Sequence, residues 1–274
     1  MKQHHARAFC LLLLLAATIV HAEPPPGYQL VWADEFNGTQ LDTNRWAYRT
    51  GTRLFSLQKS ENVIVTNGLL QLVLKKEKSG KTEYTAGGVI SRERFQYGYY
   101  EARFRCPAGA GWHTSFWAMK YNTDVAQTNA VDFAQLVERG GTDNAANAMA
   151  QEIDICEQNS DAHQSYSAGV IDWSGRSGHR SKNFGRKYVH ADADLSQDFH
   201  IWACEFTPGQ VTFYLDGKIT HQTDATQFPH GPQNIWLTSV AVLGSKPAKG
   251  KAMDETALPA TADFDWVRFY QKKS

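Results

Sequence analysis

The chain has no charge bias. Its 28 Lys and Arg balance 28 Asp and Glu, for a formal net charge of +0. Such a balance gives no electrostatic footprint for nucleic acid or an anionic membrane, and neither is expected as a partner. Cysteine is scarce as well. The 274 residues hold 4 Cys, at positions 10, 106, 156 and 204. With Cys10 inside an N-terminal apolar run, Cys106, Cys156 and Cys204 allow at most one intramolecular disulfide, so this is no disulfide framework. Three separate core thiols are the alternative. No C-x-x-C or H-E-x-x-H spacing occurs, which argues against a catalytic zinc. There is also no internal repeat, no low-complexity linker and no alternation of strand and helix patterns.

A long hydrophobic run appears only near the start. Lys2 and Arg7 precede LLLLLAATIV, which is too short to span a bilayer, and Val20-His21-Ala22 forms an A-x-A-like cleavage site. The pattern reads as a secretory signal over residues 1–22, with a single domain over 23–274. A secreted or periplasmic protein, off the membrane once the signal is removed, is the expectation.

What the chain does have is a succession of short β-like runs. LVWADEF precedes the turn Asn37-Gly38, and ENVIV and LLQLVLKKE flank Asn67-Gly68, a strong hairpin signal. GGVISRERF, YGYYEARFR and TSFWAM follow. Later come YSAGVIDW, FHIWACEFT, VTFYLDGKIT, NIWLTSVAV and FDWVRFYQ. About a dozen strands without crossover helices predict an antiparallel two-sheet sandwich. One stretch breaks the rhythm. Residues 121–150 are polar and Asn/Ala-rich, and within them VDFAQLVERG reads as a short helix with Asp132 near its start and Gly140 at its end. Long loops in compact domains are usually functional or disordered, and this one is expected to border a cleft.

The strand QEIDICEQNS carries Glu152, Asp154 and Glu157 among Ile153, Ile155 and Cys156. Alternation puts Glu152 and Asp154 on one face and Glu157 on the other. A bulge of one residue at Ile155-Cys156 would return Glu157 to the face of the other two, and bulges gather beside active sites. Glu152 and Glu157 would then stand about 13 Å apart along the strand. Inward-leaning side chains bring the carboxyls to roughly 5–6 Å, nearer the retaining than the inverting geometry of a glycosidase. Three crowded acids raise at least one pKa, which suits one ionised nucleophile and one protonated acid. An exposed acidic face or a Ca²⁺ site remains an alternative on this motif alone. Trp112, Trp117 and Trp173 favour a carbohydrate cleft, since sugar rings stack on indole.

Taken with its supporting segments, the bulged Glu152-x-Asp154-x-x-Glu157 resembles glycoside hydrolase family 16. Those segments are LVWADEFNGTQLDTNRWAY, FQYGYYEARFR, GWHTSFWAM, LSQDFHIWACEFTPGQVTFYLDGK and FDWVRFYQ. The resemblance implies a concanavalin A-like β-jelly roll of two curved antiparallel sheets with a concave cleft. It also implies an endo-hydrolase that cleaves a β-linked polysaccharide with retention; a monomer that uses no catalytic cofactor is expected. In that pattern Glu152 is the nucleophile, Asp154 the assisting acid, Glu157 the acid/base, and Trp117 the cleft-facing aromatic. Asp172 stands where many members carry a His, and Asp172, Trp173, Trp112 and Trp117 are the expected substrate contacts. The resemblance further implies a structural Ca²⁺ at Glu35, the Gly68 backbone and Asp265. A lectin-like module or a transglycosylase on the same scaffold are the competing functions. Laminarin-type β-1,3-glucan and red-algal β-galactan are the two substrate candidates. The absence of a W-P-A-F-W run speaks against the first. Arg176, Arg180, Lys182, Arg186 and Lys187 form a basic cluster that suits a sulfated chain or is simply solvated.

Overall fold

A computed structural model describes residues 23–119, 130–132, 151–172, 182–228, 230–247 and 249–273. Two antiparallel sheets dominate it. One contains β4 (Val63–Thr66), β5 (Leu69–Ser79), β18 (Ala260–Lys272), β8 (Gly98–Arg105), β14 (His200–Phe206), β15 (Gln210–Leu215) and β16 (Lys218–Asp224), hydrogen-bonded in that order. The strand β1 (Tyr28–Asp34) continues the line of β5 along the C-terminal half of β18. The second sheet runs β2 (Trp46–Arg53), β7 (Gly88–Ser91), β17 (Asn234–Ala241), β9 (Trp112–Met119), β11 (Gln151–Asn159), β12 (Ser165–Asp172) and β13 (Lys182–His190). Two short strands, β3 (Ser56–Gln58) and β6 (Thr82–Ala86), link β2 to β5 and close one side. This is the β-jelly roll.

Alternation explains which residues form which layer. On β8, Tyr100, Ala102 and Phe104 enter the core, as do Trp202, Cys204 and Phe206 on β14. Phe104 stacks on Trp202 at 3.9 Å and on Phe264 at 4.6 Å between ring centroids. The facing sheet contributes Phe116, Ala118, Ile153, Val170, Ile235 and Leu237. Each large side chain so buried contributes about 1.5–3 kcal/mol of transfer free energy. Cys106, Cys156 and Cys204 are all buried as free thiols.

Two hairpin turns share one backbone geometry. Asn67 and Gly68 both take positive φ, 53° and 73°, as a two-residue hairpin turn between β4 and β5 requires. VTFYLDGKIT, read from sequence as one strand, is instead the hairpin β15–β16. Asp216 and Gly217 reverse the chain there with φ of 49° and 76°. The expected helix over VDFAQLVERG fails at its start. Ala130–Asp132 is a strand, β10, paired in parallel with Tyr48, Arg49 and Thr50 on the edge of β2. That open edge offers backbone donors and acceptors that an incoming extended segment satisfies. The rest of that stretch, the N-terminal 22 residues, Trp173, Arg176 and Arg180 lie outside the described residues.

Candidate active site

The bulge in β11 sets the site. Against β12, the chain advances three residues from Asp154 to Glu157 while its partner moves only from Gly169 to Ser167. Against β9, Asp154 to Cys156 matches the single step from Trp117 to Phe116. One extra residue therefore sits at Ile155-Cys156, and both of these side chains are in the core. Glu157 returns to the face of Glu152 and Asp154.

Register carries that face across the sheet, because directly paired residues point the same way. Asp154 pairs with Trp117 and Gly169, Trp117 with Trp236, and Trp236 with Ile90. In the neighbouring row Glu157 pairs with Ser115 and Ser167, Ser115 with Thr238, and Thr238 with Gly88. On the other side Glu152 pairs with Met119 and Ile171. Three acids thus stand beside an aromatic floor. Trp117 and Trp236 stack at 4.5 Å with 28° between their planes, and Trp117 Nε1 donates to Thr238 Oγ1 at 3.2 Å.

A second irregularity aims a cation at these acids. β13 inserts one residue between the pairs Ala168–Lys187 and Val170–Phe184, with Gly185 at φ 59°. Arg186 then crosses over Gly169, where a Cβ would lie 2.4 Å from the Arg186 Cα. Its Nη2 donates to Glu157 Oε2 and, at 2.9 Å, to Ser167 Oγ. Its Nη1 lies 3.6 Å from Asp154 Oδ2. The other oxygen of Glu157 faces His113, with Nε2 at 3.2 Å from Oε1, while His113 Nδ1 meets Asn159 Oδ1 at 2.9 Å.

Protonation follows from these contacts. Asp154 is 1% exposed. Burial, then the charges of Glu152 and Glu157, push its carboxyl well above the usual range, and a hydrogen bond to Glu152 adds to this. A neutral Asp154 hydroxyl donating to Glu152 suits an ionised Glu152. Burial also pushes Glu157 up, but the hydrogen bond and charge of His113, then Arg186 and Ser167, outweigh it and hold Glu157 below its ordinary value.

Several expected site residues lie elsewhere. Trp112 is fully buried on the opposite side of β9 from Trp117 and packs edge-on against Tyr84 at 5.8 Å. Its neighbours there are apolar, so it is a core residue and not a sugar platform. Asp172 pairs with Gln151, which places it on the face of Val170 and Ile153; Ile171 occupies the acids' face instead. Alternation from the bulge decides this. The residues assigned to calcium do not fit a cation. Arg268 Nε and Nη2 grip Glu35 Oε1 and Oε2 at 2.8 and 2.9 Å. Asp265 is paired with Arg103, and Gly68 belongs to the β4–β5 turn. No group of three His, Cys, Asp or Glu side chains placed to hold a metal occurs among the described residues.

Other residues of the face went unread. Trp236 was visible only as one more apolar residue in NIWLTSVAV, though its parity against Ile235 and Leu237 marks it as facing away from the core. Arg186 was one of five basic residues with no sign of which one turns inward. His113, Asn159 and Ser167 carried no signal, because their partners come from neighbouring strands.

Residues 29–272 match the family model described as Beta-porphyranase A-D, GH16 domain. Glucan endo-1,3-beta-glucosidase A1 of Niallia circulans is 24% identical over 90% of this chain, which spans 38% of that protein's length. Kappa-carrageenase of Pseudoalteromonas carrageenovora is 28% identical, with 96% of this chain and 70% of the carrageenase covered. Among solved structures, a non-specific endo-beta-1,3(4)-glucanase superposes with a TM-score of 0.71 at 25% identity, covering 92% of this chain and 94% of the other. The domain is that of an endo-acting β-glycan hydrolase, built to hydrolyse O-glycosyl bonds. The chain belongs to glycoside hydrolase family 16.

Proposed function

We propose that this chain cleaves internal bonds of a β-galactan by double displacement with retention. Glu152 attacks the anomeric carbon as the glycosidic bond breaks, and Glu157 gives its proton to the departing oxygen. Glu157, now a carboxylate, takes a proton from water, whose oxygen displaces Glu152 and frees the product. Asp154, neutral and hydrogen-bonded to Glu152, keeps that carboxylate ionised and aimed. The observation that carries the reading is the one-residue bulge that puts Glu157 on the face of the other two acids. Trp117, paired with Asp154 and backed by the fully buried Trp236, is the aromatic that the acids' face offers to a sugar ring.

The choice of galactan over β-1,3-glucan rests on charge and on the family description. Arg186 puts one partly exposed guanidinium on the acids' face, whereas Arg49 near Gly88 is buried with its Nη1 donating to Gln58 Oε1. Guanidinium suits anionic substituents such as sulfate. The matching family model is a porphyranase type. A secreted or periplasmic location accords with the N-terminal apolar run and with a substrate too large to enter a cell.

Reducing-end release from agarose, carrageenan, porphyran and laminarin tests the substrate, and Glu152→Gln and Glu157→Gln test the chemistry. A galactan is cut and laminarin is not, while each Gln variant loses several orders of magnitude of activity without losing its fold. Release from laminarin alone would overturn the substrate. Full activity in either Gln variant would overturn the residue roles.

A further inference from the structure

Glu157 raises a problem for its own role. A general acid works best when it holds its proton near the working pH, and glycosidase acids are usually raised for that purpose. Here Arg186 and Ser167 occupy Oε2 and favour the carboxylate. The contact at Oε1 bears on this. Asn159 Oδ1 can only accept, so the 2.9 Å contact places a proton on His113 Nδ1. A neutral imidazole in that tautomer presents a bare lone pair at Nε2, 3.2 Å from Glu157 Oε1. Two lone pairs facing each other repel. The contact is a hydrogen bond only when one proton lies between them, on Oε1 or on Nε2.

We propose that His113, with its tautomer fixed by Asn159, is a positioning residue that shares a single proton with Glu157 and so keeps the acid supplied. The proposal rests on Glu157 being the acid/base. In the first step the shared proton, carried on Glu157 Oε1, leaves its contact with Nε2 and passes to the departing oxygen. That leaves Glu157 a carboxylate and His113 neutral. In the second, the proton taken from water re-enters the same contact, so the pair cycles between one proton and none.

Other charged and titratable groups facing Glu157 are few among the described residues. Its own strand offers Asp154, β9 offers His113, and β13 offers Arg186. From β12 come Ser167 and Gly169, and β17 beyond β9 brings Thr238 and Val240, none of which titrates. Loss of the last proton from a coupled pair belongs to the pair and lies above the value for either member alone. Arg186 and His113 both depress Glu157 itself, but only His113 can carry the pair's last proton.

The pH dependence of kcat/KM on the polysaccharide separates this from a merely structural contact. His113→Leu leaves Glu157 alone with Arg186, so the basic limb moves down by about one pH unit or more. Activity on the polysaccharide falls by more than on an aryl glycoside whose leaving group needs no proton. Asn159→Ala keeps the imidazole but frees its tautomer, and shifts the limb the same way by less. It also provides the readout if His113→Leu does not fold. An unmoved basic limb in both variants, with Glu157→Ala still rescued by azide on the aryl glycoside, overturns the role of His113 alone. If Glu157→Ala shows no dependence on the leaving group, the acid/base assignment falls and this proposal with it.

Discussion

Arg186 on β13 reaches across β12 to Glu157 on β11 and donates to its Oε2 through the nitrogen that also donates to Ser167 Oγ at 2.9 Å. The contact crosses three strands and depends on two bulges, one in β11 and one in β13. It fixes the plane of the carboxyl and loads it with positive charge.

Replacing that charge has a predictable sign. Arg186→Met removes a cation that helps hold Glu157 below its ordinary value, so the basic limb of kcat/KM moves up, opposite to His113→Leu. Turnover falls about tenfold to a hundredfold, because Oε2 loses a donor that orients it. A pH profile on the polysaccharide checks both. A limb that stays or moves down contradicts the electrostatic account.

Gly169 is the crossing point. Its added Cβ would meet the Arg186 Cα at 2.4 Å and Cβ at 2.8 Å, atoms of a strand with little room to retreat. Gly169→Ala is expected to cost about 1–3 kcal/mol of stability and to dislodge Arg186 from Glu157. Calorimetry together with the pH profile tests this. An unchanged melting temperature and an unchanged limb would mean that β13 yields freely.

On the opposite sheet, Glu101 is fully buried and, among the described residues, accepts one 3.3 Å hydrogen bond, from Tyr270 to Oε2. Burial pushes its carboxyl up to about 7, against the opposing charge of Arg268 and the Tyr270 contact. A group raised in the fold keeps its stabilising share below the unfolded value of about 4.3 and loses it as pH climbs towards about 7. The full loss is on the order of 4 kcal/mol at roughly 1.4 kcal/mol per unit. Glu101→Gln should therefore melt higher than the parent above pH 7 and flatten the slope between pH 4 and 7. Identical slopes would exclude Glu101 as the source.

With Glu35 held by Arg268 and Asp265 by Arg103, chelation has no cation to remove at that place. EDTA should leave the melting temperature where it was. A drop that added calcium reverses would show that the cation displaces the arginines.

Strands announced themselves wherever one face was buried. Alternation gave the layers, and Asn67-Gly68 gave a hairpin with its register. The bulge was legible too, since three acids at spacings of two and three cannot share a face of a regular strand. What stayed hidden depends on neighbours distant in sequence. Trp112 and Trp117 look alike in GWHTSFWAM, yet their parity sends one to Tyr84 and the other to Trp236. Asp172 lies one step off the acids' face for the same reason. Arg186 could be singled out from its basic neighbours only after the β13 bulge was known. Glu35 and Asp265 were matched by resemblance, and the arginines that neutralise them lie on β18 and β8.

The assignment of Glu152 as nucleophile and Glu157 as acid/base is tested most directly by azide rescue of Glu157→Ala on an aryl glycoside with a good leaving group. The activated substrate forms the glycosyl-enzyme without acid help, and azide then replaces the water that Glu157 no longer activates. The account predicts restored turnover and a glycosyl azide of β configuration, read from the anomeric proton coupling by NMR. An α-azide would make Glu157 the nucleophile, and turnover at the parent rate without azide would remove Glu157 from the chemistry; either result contradicts the account.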